Sequence, residues 1–339
     1  MLPKKNTYTV AIVGATGAVG REMVEILEGR NFPVSELVLL ASERSAGERI
    51  EFQGSNRTVR RLTKESFAGV DIAIFAAGAE ISREFAPAAV QAGVVMIDNS
   101  SAFCMDEKVP LVVPEVNAHA ISGHQGIIAN PSCSTVGMAM ALKPIHDVVG
   151  IKRIVVTTFQ SVSGTGKRAM DELASQTVAL LNFRDVETKV YPHQIAFNCL
   201  PHVDAFLENG YTTEEVKMVH ETRKILRSES LRLTATAVRV PVFRCHAASI
   251  NIETEKHIAP NDVRAMLSEM PGLIVYDDPL RNIYPLQIDV AGKDEVYVGR
   301  IRSDDTVPNG LSLWVVLDNL RKGAGLNAVQ IAEYLIKQG

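Results

Sequence analysis

The feature that most constrains this chain is a glycine-spaced turn close to its start. Gly14-Ala15-Thr16-Gly17-Ala18-Val19-Gly20 follows an apolar run from Thr9 to Val13. It leads into a helical pattern from Ala18 to Glu28, with Val19, Met23, Ile26 and Leu27 recurring at helical spacing. Strand, glycine turn and helix in that order set a helix N-terminus, with its free N–H groups and positive potential, against a pyrophosphate. The spacing is GxxGxxG, not the commoner GxGxxG, and glycines also serve ordinary tight turns. The position between a first strand and a first helix is what gives the motif its meaning. Gly14, Thr16, Gly17, Ala18 and Val19 are the expected contacts of a dinucleotide.

Around this turn the first half keeps alternating strands with helices. Leu37 to Leu40, Ile72 to Ala76 and Val94 to Ile97 read as strands, and Ile81 to Ala92 as a helix. Such alternation implies right-handed crossovers and a mostly parallel sheet covered on both faces, a Rossmann-type dinucleotide-binding domain. After about Asn130 the pattern changes. Ile154 to Phe159, Thr234 to Val240, Ala247 to Glu253, Glu295 to Arg302 and Leu311 to Val316 read as strands, several with polar alternation. Lys167 to Leu181 and Thr213 to Leu226 read as helices, the second with Thr213 as its N-cap. This is the signature of an α+β domain with an antiparallel or mixed sheet. The last helix, Asn327 to Lys337, is amphipathic and is expected to return to the first domain. The expected division is residues 1–131 with 318–339, and residues 132–317; a chain of 339 residues suits two domains.

Charge and cysteine usage exclude other classes. The net charge of −4 and the lack of any lysine- or arginine-rich block argue against a nucleic-acid surface. No apolar stretch reaches the roughly 18–20 residues of a membrane helix, and the N-terminal apolar run is too short for a signal peptide. Cys104, Cys133, Cys199 and Cys245 are scattered, without a CxxC pair, so neither a disulfide framework nor a metal site is expected. A soluble cytoplasmic protein is the expectation.

Two stretches carry chemistry. After the second strand, Ser42, Arg44 and Ser45 offer the hydroxyls and guanidinium that suit a 2′-phosphate, with Glu43 the opposing residue; NADP is the expected cofactor. In Asn130-Pro131-Ser132-Cys133-Ser134-Thr135 the proline breaks an extended run, and a helical segment from Val136 to Leu142 follows. Cys133 is thereby placed near a helix N-terminus, where the dipole lowers a thiol pKa. Cys199, among Phe197, Leu200 and Pro201, reads instead as a buried small hydrophobe.

These motifs, with Thr158-Phe159-Gln160-Ser161-Val162-Ser163-Gly164, Arg239-Val240-Pro241-Val242, His246 and Asp318-Asn319-Leu320-Arg321-Lys322-Gly323, together resemble the aspartate-β-semialdehyde dehydrogenase family over essentially the whole chain. The resemblance implies NADPH-dependent reduction of aspartyl phosphate to aspartate semialdehyde, with release of phosphate, in biosynthesis of lysine and diaminopimelate, threonine and methionine. It implies Cys133 as nucleophile, His246 as acid/base with a pKa near neutrality, and Gln160 as the group that orients the acyl carbonyl. By the same resemblance Arg239 holds the substrate carboxylate, Glu214 its ammonium and Lys217 the phosphate, while Ser163, Gly164 and Asn319 join the cofactor site. A homodimer or dimer of dimers is implied as well.

Two positions depart from the family pattern. Cys104 stands where an arginine is usual, and Ser132 stands where an asparagine precedes the nucleophile; both positions belong to the phosphate site. A weakened phosphate subsite is the expectation, with Arg244 as a candidate replacement cation. The rival readings are an N-acetyl-glutamyl-phosphate reductase, against which Glu214 argues, and a non-catalytic paralogue, against which the intact Cys133, Gln160 and His246 argue.

Overall fold

A computed structural model describes residues 2–338 of the chain. It divides into two compact units, one running to Ser132 and resuming at Ala324, the other Cys133–Gly323. The segment Asp318–Gly323, grouped with the first domain on sequence, belongs to the second unit.

The first unit is built on six strands, in the order Arg60–Arg61, Val34–Ala41, Tyr8–Val13, Ile72–Phe75, Val95–Asp98 and Ile127–Ala129. Every neighbouring pair is parallel. Alternate residues feed opposite faces, as the two-residue period of a strand requires. Ile12, Ile72, Ile74 and Ile97 enter one buried cluster, and Ala11, Val13, Ala73, Phe75 and Met96 the other. This is why the strands read as unbroken apolar runs. The last helix, Leu326–Gln338, buries Val329, Ile331 and Leu335 in the first cluster beside Met23 and Leu27. Arg30 clasps Glu333 on the same helix at 2.6 Å. A small hairpin, Arg49–Phe52 with Ser55–Thr58, has no counterpart in the sequence reading; six of its eight strand residues are polar and exposed.

The second unit carries a mixed sheet, in the order Arg232–Arg239, Ile151–Gln160, His246–Thr254, Gly310–Leu317, Val296–Asp304 and Leu273–Val275. The two outermost pairs are parallel and the three central pairs antiparallel. Its register matters for function. Gln160 lies opposite Arg239 on one side and opposite His246 on the other. Residues in register across neighbouring strands project to the same face, so three distant sequence positions form one row.

Two helices complete the setting. One spans Cys133–Val149, beginning three residues earlier and ending seven later than its sequence pattern indicated. The other spans Thr213–Leu226, and its N-cap is Thr212, not Thr213. Thr212 and Glu215 form a reciprocal capping box: Glu215 N–H donates to Thr212 Oγ1 at 3.3 Å, and Thr212 N–H donates to Glu215 Oε2 at 2.7 Å. Glu215 Oε1 also accepts Ala237 N–H at 2.8 Å, fastening the helix to the strand that ends in Arg239. Truncating this buried cap in Thr212→Ala should cost about 1 kcal/mol. The loss is measurable as a lower urea midpoint with an unchanged slope; an unchanged midpoint would mean that the helix start is held by packing alone.

Candidate active site

The row Arg239, Gln160, His246 is buried, and the first turns of both helices bring further groups to the same unit. Cys133 is the first residue of its helix and is half-buried. The backbone of the Asp318–Gly323 run passes so near that a Cβ on Gly323 would lie 2.7 Å from Cys133 Cβ. Only glycine leaves room there.

Gln160 Nε2 has three oxygens in reach: Ser134 Oγ at 3.1 Å, Glu214 Oε1 at 3.1 Å and Thr158 Oγ1 at 3.3 Å. With two N–H groups it satisfies two at a time. The amide therefore links the Cys133 helix to the Glu214 helix. Glu214 is buried, and its other oxygen accepts from Lys217 Nζ at 2.7 Å, one turn along the helix. Burial alone would raise the Glu214 carboxyl pKa, but the Lys217 ammonium, its hydrogen bond and that of Gln160 prevail and lower it. Burial alone would lower the Lys217 pKa, but the charge of Glu214, then Glu221 and Asp204 at 3.9 Å, raises it.

Arg239 and His246 present the opposite condition, polar atoms without partners. Arg239 Nη1 donates to Ser161 O at 2.7 Å, and its guanidinium stands 6.0 Å over the Tyr191 ring. No carboxylate pairs with it among the described residues, and its buried Nε has no hydrogen-bond partner. His246 Nε2 is likewise buried and unsatisfied. Both border the same space: a Cβ on Gly164 would stand 3.1 Å from Arg239 Nη1 and 3.2 Å from His246 Nε2. A buried charge without a counter-charge costs several kcal/mol. A fold that keeps one beside an orphaned ring nitrogen is organised for an anionic or carbonyl ligand.

The ionisation of Cys133 and His246 differs from the sequence expectation. Cys133 does open a helix, but burial and the charge of Glu214 push its thiol up to about 12, outweighing Lys217, Arg239 and a backbone hydrogen bond at Ser134. The helix terminus does not yield a resting thiolate. Burial and the neighbouring Arg239 charge push His246 down to about 3, against a smaller opposing effect of Glu214 and a backbone hydrogen bond. The imidazole is neutral, and its pKa is not near neutrality.

Other expected residues fall in various places. Gly17 is the N-cap of the Ala18–Gly29 helix, and no side chain caps that end, so its first N–H groups face outward from the glycine turn. Gly14 takes a φ of 85°, and a Cβ there would meet Ala76 O at 2.6 Å; Gly20 packs on Gly14 O even more closely. Thr16, Ala18 and Val19 complete the turn, partly exposed. Ser42 and Arg44 are exposed and Ser45 is buried, while Glu43 reaches Arg61 at 3.4 Å. The opposing carboxylate therefore has its own cation, and Arg44 makes no ion pair among the described residues. Ser163 and Asn319 are buried in the second unit, whereas Gly164 is exposed.

Cys104 is a correction. It is buried, and its thiol donates to Ser100 O at 3.3 Å and lies 3.8 Å from Asn130 O, within the first unit. Turned to main-chain carbonyls, it offers nothing to an anion. Ser132 is half-buried, directly before Cys133. Arg244 precedes the His246 strand and is held by the buried Asp318 at 2.5 Å, so it is engaged as a structural cation. Cys199 is exposed, not buried. Four residues of the site escaped the sequence reading: Ser134, Ser161, Tyr191 and Gly323. The first two and Gly323 stand inside motifs that carried the resemblance. Tyr191 stands in a loop with no local signal.

The raised thiol pKa has a direct consequence for labelling. In ligand-free protein an alkylating reagent should modify exposed Cys199 first. Cys133 should react slowly near neutrality, its rate climbing about tenfold per pH unit with the thiolate fraction. Mass spectrometry of the two peptides reads both rates. A Cys133 rate that levels off below about pH 9, as for an ordinary thiol, would contradict the buried-thiol picture.

The family profile for semialdehyde dehydrogenase, NAD binding domain, matches residues 9–124, and that for semialdehyde dehydrogenase, dimerisation domain, matches residues 142–322. The chain is 56% identical to an aspartate-semialdehyde dehydrogenase of Aquifex aeolicus, over 98% of this chain and 99% of that protein. A crystal structure of aspartate semialdehyde dehydrogenase II from Vibrio cholerae complexed with ASA superposes with a TM-score of 0.96 at 51% identity, covering 98% of this chain and 99% of that one. A Candida albicans aspartate semialdehyde dehydrogenase with NADP, at 23% identity and a TM-score of 0.75 over 97% of this chain and 98% of that one, shares the fold. Full-length identity to these relatives and both profile matches converge: this chain belongs to the aspartate-semialdehyde dehydrogenase family.

Proposed function

We propose that this protein catalyses the NADPH-dependent reductive dephosphorylation of L-aspartyl-4-phosphate to L-aspartate-4-semialdehyde, and its reverse, in the biosynthesis of lysine, threonine and methionine. The observation that carries the reading is the second unit's arrangement of Cys133, Gln160 and Glu214 with the unsatisfied Arg239 Nε and His246 Nε2. An amino acid whose side-chain carbonyl is attacked needs these groups: a cation for the carboxylate, an anion for the ammonium, and a thiol and an acid for the reacting centre.

Arg239 takes the α-carboxylate, for which a planar fork is better suited than lysine. Glu214 takes the ammonium. Cys133 Sγ, as thiolate, bonds to the acyl carbon while the bond from that carbon to the phosphate oxygen breaks. The resulting thioester is reduced to a hemithioacetal, whose C–S bond then breaks to free the semialdehyde. His246 Nε2 meets the carbonyl oxygen throughout, and Gln160 orients the acyl group. Lys217 receives the phosphate, and Cys104, turned to carbonyls, adds no cation of its own, which supports a high KM for phosphate. The uncapped helix at Gly17 fits a pyrophosphate, and Ser42, Arg44 and Ser45 fit a 2′-phosphate, with Ser163, Gly164 and Asn319 beside the nicotinamide. A bound nicotinamide supplies the hydride. The protein acts in the cytoplasm as a homodimer or dimer of dimers, in keeping with its dimerisation-domain match.

The decisive assay follows NADPH formation from aspartate semialdehyde with and without phosphate. Phosphate-dependent formation is expected, abolished in Cys133→Ala without loss of NADP binding; a variant keeping about a tenth of the rate would exclude covalent catalysis. Arg44→Ala should raise the KM for NADP about ten- to a hundredfold, the worth of one charge-assisted hydrogen bond, and leave that for NAD nearly unchanged. Equal losses for both cofactors would make Arg44 a loop support and not a phosphate reader.

A further inference from the structure

His246 is tied to its unit through Ser161. The Ser161 backbone N–H donates to His246 Nδ1 at 3.1 Å, and the Ser161 hydroxyl lies 3.1 Å from the same nitrogen. A ring nitrogen that accepts cannot carry the proton, so in the neutral imidazole the proton sits on Nε2. The chain of contacts continues inward. Ser161 Oγ is 2.9 Å from Ser163 Oγ, both hydroxyls reach Asn319 Oδ1, at 3.2 and 3.1 Å, and Ser163 Oγ accepts from Asn319 Nδ2 at 2.9 Å. The single Ser161 hydroxyl proton goes either to Asn319 Oδ1 or to His246 Nδ1; in the second arrangement each group donates to the next, from Asn319 amide through Ser163 and Ser161 hydroxyls to the ring. Aligned chains of this kind reinforce each other in a buried setting, and all four residues are buried.

Asn319 also fixes the backbone that carries the ring. Its Oδ1 accepts Cys245 N–H at 2.9 Å. Cys245 precedes His246 and has a φ of 74°, a conformation that a residue with a Cβ rarely takes. Gln287 Nε2 donates to the Cys245 carbonyl at 2.6 Å and clamps the other side of that residue. One carboxamide thus sets both the strand entry and the donor chain.

We propose that Ser161, Ser163 and Asn319 are positioning residues that lock His246 as its Nε2–H tautomer, so that a neutral imidazole presents an N–H to the substrate oxygen in the space beside Gly164. The charged groups facing the ring are Arg239 and Glu214, of opposite sign. Arg239 and burial disfavour the imidazolium and hold the ring neutral in the same sense as the two donors on Nδ1. His246 therefore meets the substrate carbonyl as a neutral hydrogen-bond donor. Only this consequence rests on the proposed activity; the tautomer does not.

The test uses the full-length protein labelled with 15N-histidine and free of ligand, followed by NMR from about pH 6 to about pH 8, where an ordinary imidazole titrates. The His246 ring is assigned by the signals lost in His246→Gln. One neutral ring with its proton on Nε2, constant over the range, is expected. A proton on Nδ1, or an ordinary titration, would overturn the proposal. Ser161→Ala keeps the peptide N–H but cuts the hydroxyl chain. It should give a mixture of tautomers and lower kcat about tenfold, the worth of roughly one hydrogen bond, with little change in either KM. A variant with wild-type kcat and a pure Nε2–H ring would remove the hydroxyl chain from the proposal. A protein that shows the expected ring but no turnover of aspartate semialdehyde would count against the proposed activity alone.

Discussion

The register of the second sheet is the constraint on which the site depends. Arg239, Gln160 and His246 come from three strands, and their pairing places them side by side. A slip of one residue in either pairing would turn a functional group to the opposite face. The register is held from outside the row as well: Glu215 bonds to Ala237 N–H, and Asn319 bonds to Cys245 N–H. The strand carrying Arg239 pairs parallel to its neighbour and the strand carrying His246 pairs antiparallel. That mixture sets the Arg239 strand's last residue beside the His246 strand's first, around the last residue of the strand between them. Strand ends meeting in this way leave room for a ligand where strand middles would not.

Much of the framework could be read from residue patterns because the physics is local. The glycine turn, the buried parallel strands and the returning terminal helix each depend on periodicity within a dozen residues. The short strands Ile127–Ala129 and Leu273–Val275 and the helix Pro260–Ser268 were missed. The strands have only three residues each, too few for a period to emerge. The N-cap was misplaced by one residue because Thr212 and Thr213 are adjacent and only the capping box distinguishes them.

The site was legible as a set of residue types, and less so in its electrostatics. Motifs alone place Cys133 at a helix start, which the fold repeats. They do not reveal that Glu214 and burial overcome the helix terminus, because that depends on where residue 214 is folded relative to residue 133. Cys104 is similar. As a letter it is a lost cation; in the fold it is a small buried group bonded to carbonyls of Ser100 and Asn130. Tyr191 beneath Arg239 left no trace in the pattern, since a single aromatic residue in a loop has no period to betray it.

The two ionisation states together describe a pocket that is inert when empty. The thiol keeps its proton, and the imidazole nitrogen facing the space beside Gly164 carries one too, so the resting site holds no free base of ordinary strength. The charge arrangement shows what changes this. Glu214 is a principal electrostatic cause of the raised thiol pKa, and Lys217 and Arg239 act against it. A ligand ammonium on Glu214 would cancel the opposing charge, while a ligand carboxylate on Arg239 would remove part of the help. The first effect favours thiolate and the second disfavours it, and at comparable separation they nearly cancel. A carbonyl placed beside Gly164 would accept a hydrogen bond from His246 Nε2–H, which makes its carbon more electrophilic without moving the ring proton. A thiol with so high a pKa also resists adventitious oxidation while the site is empty.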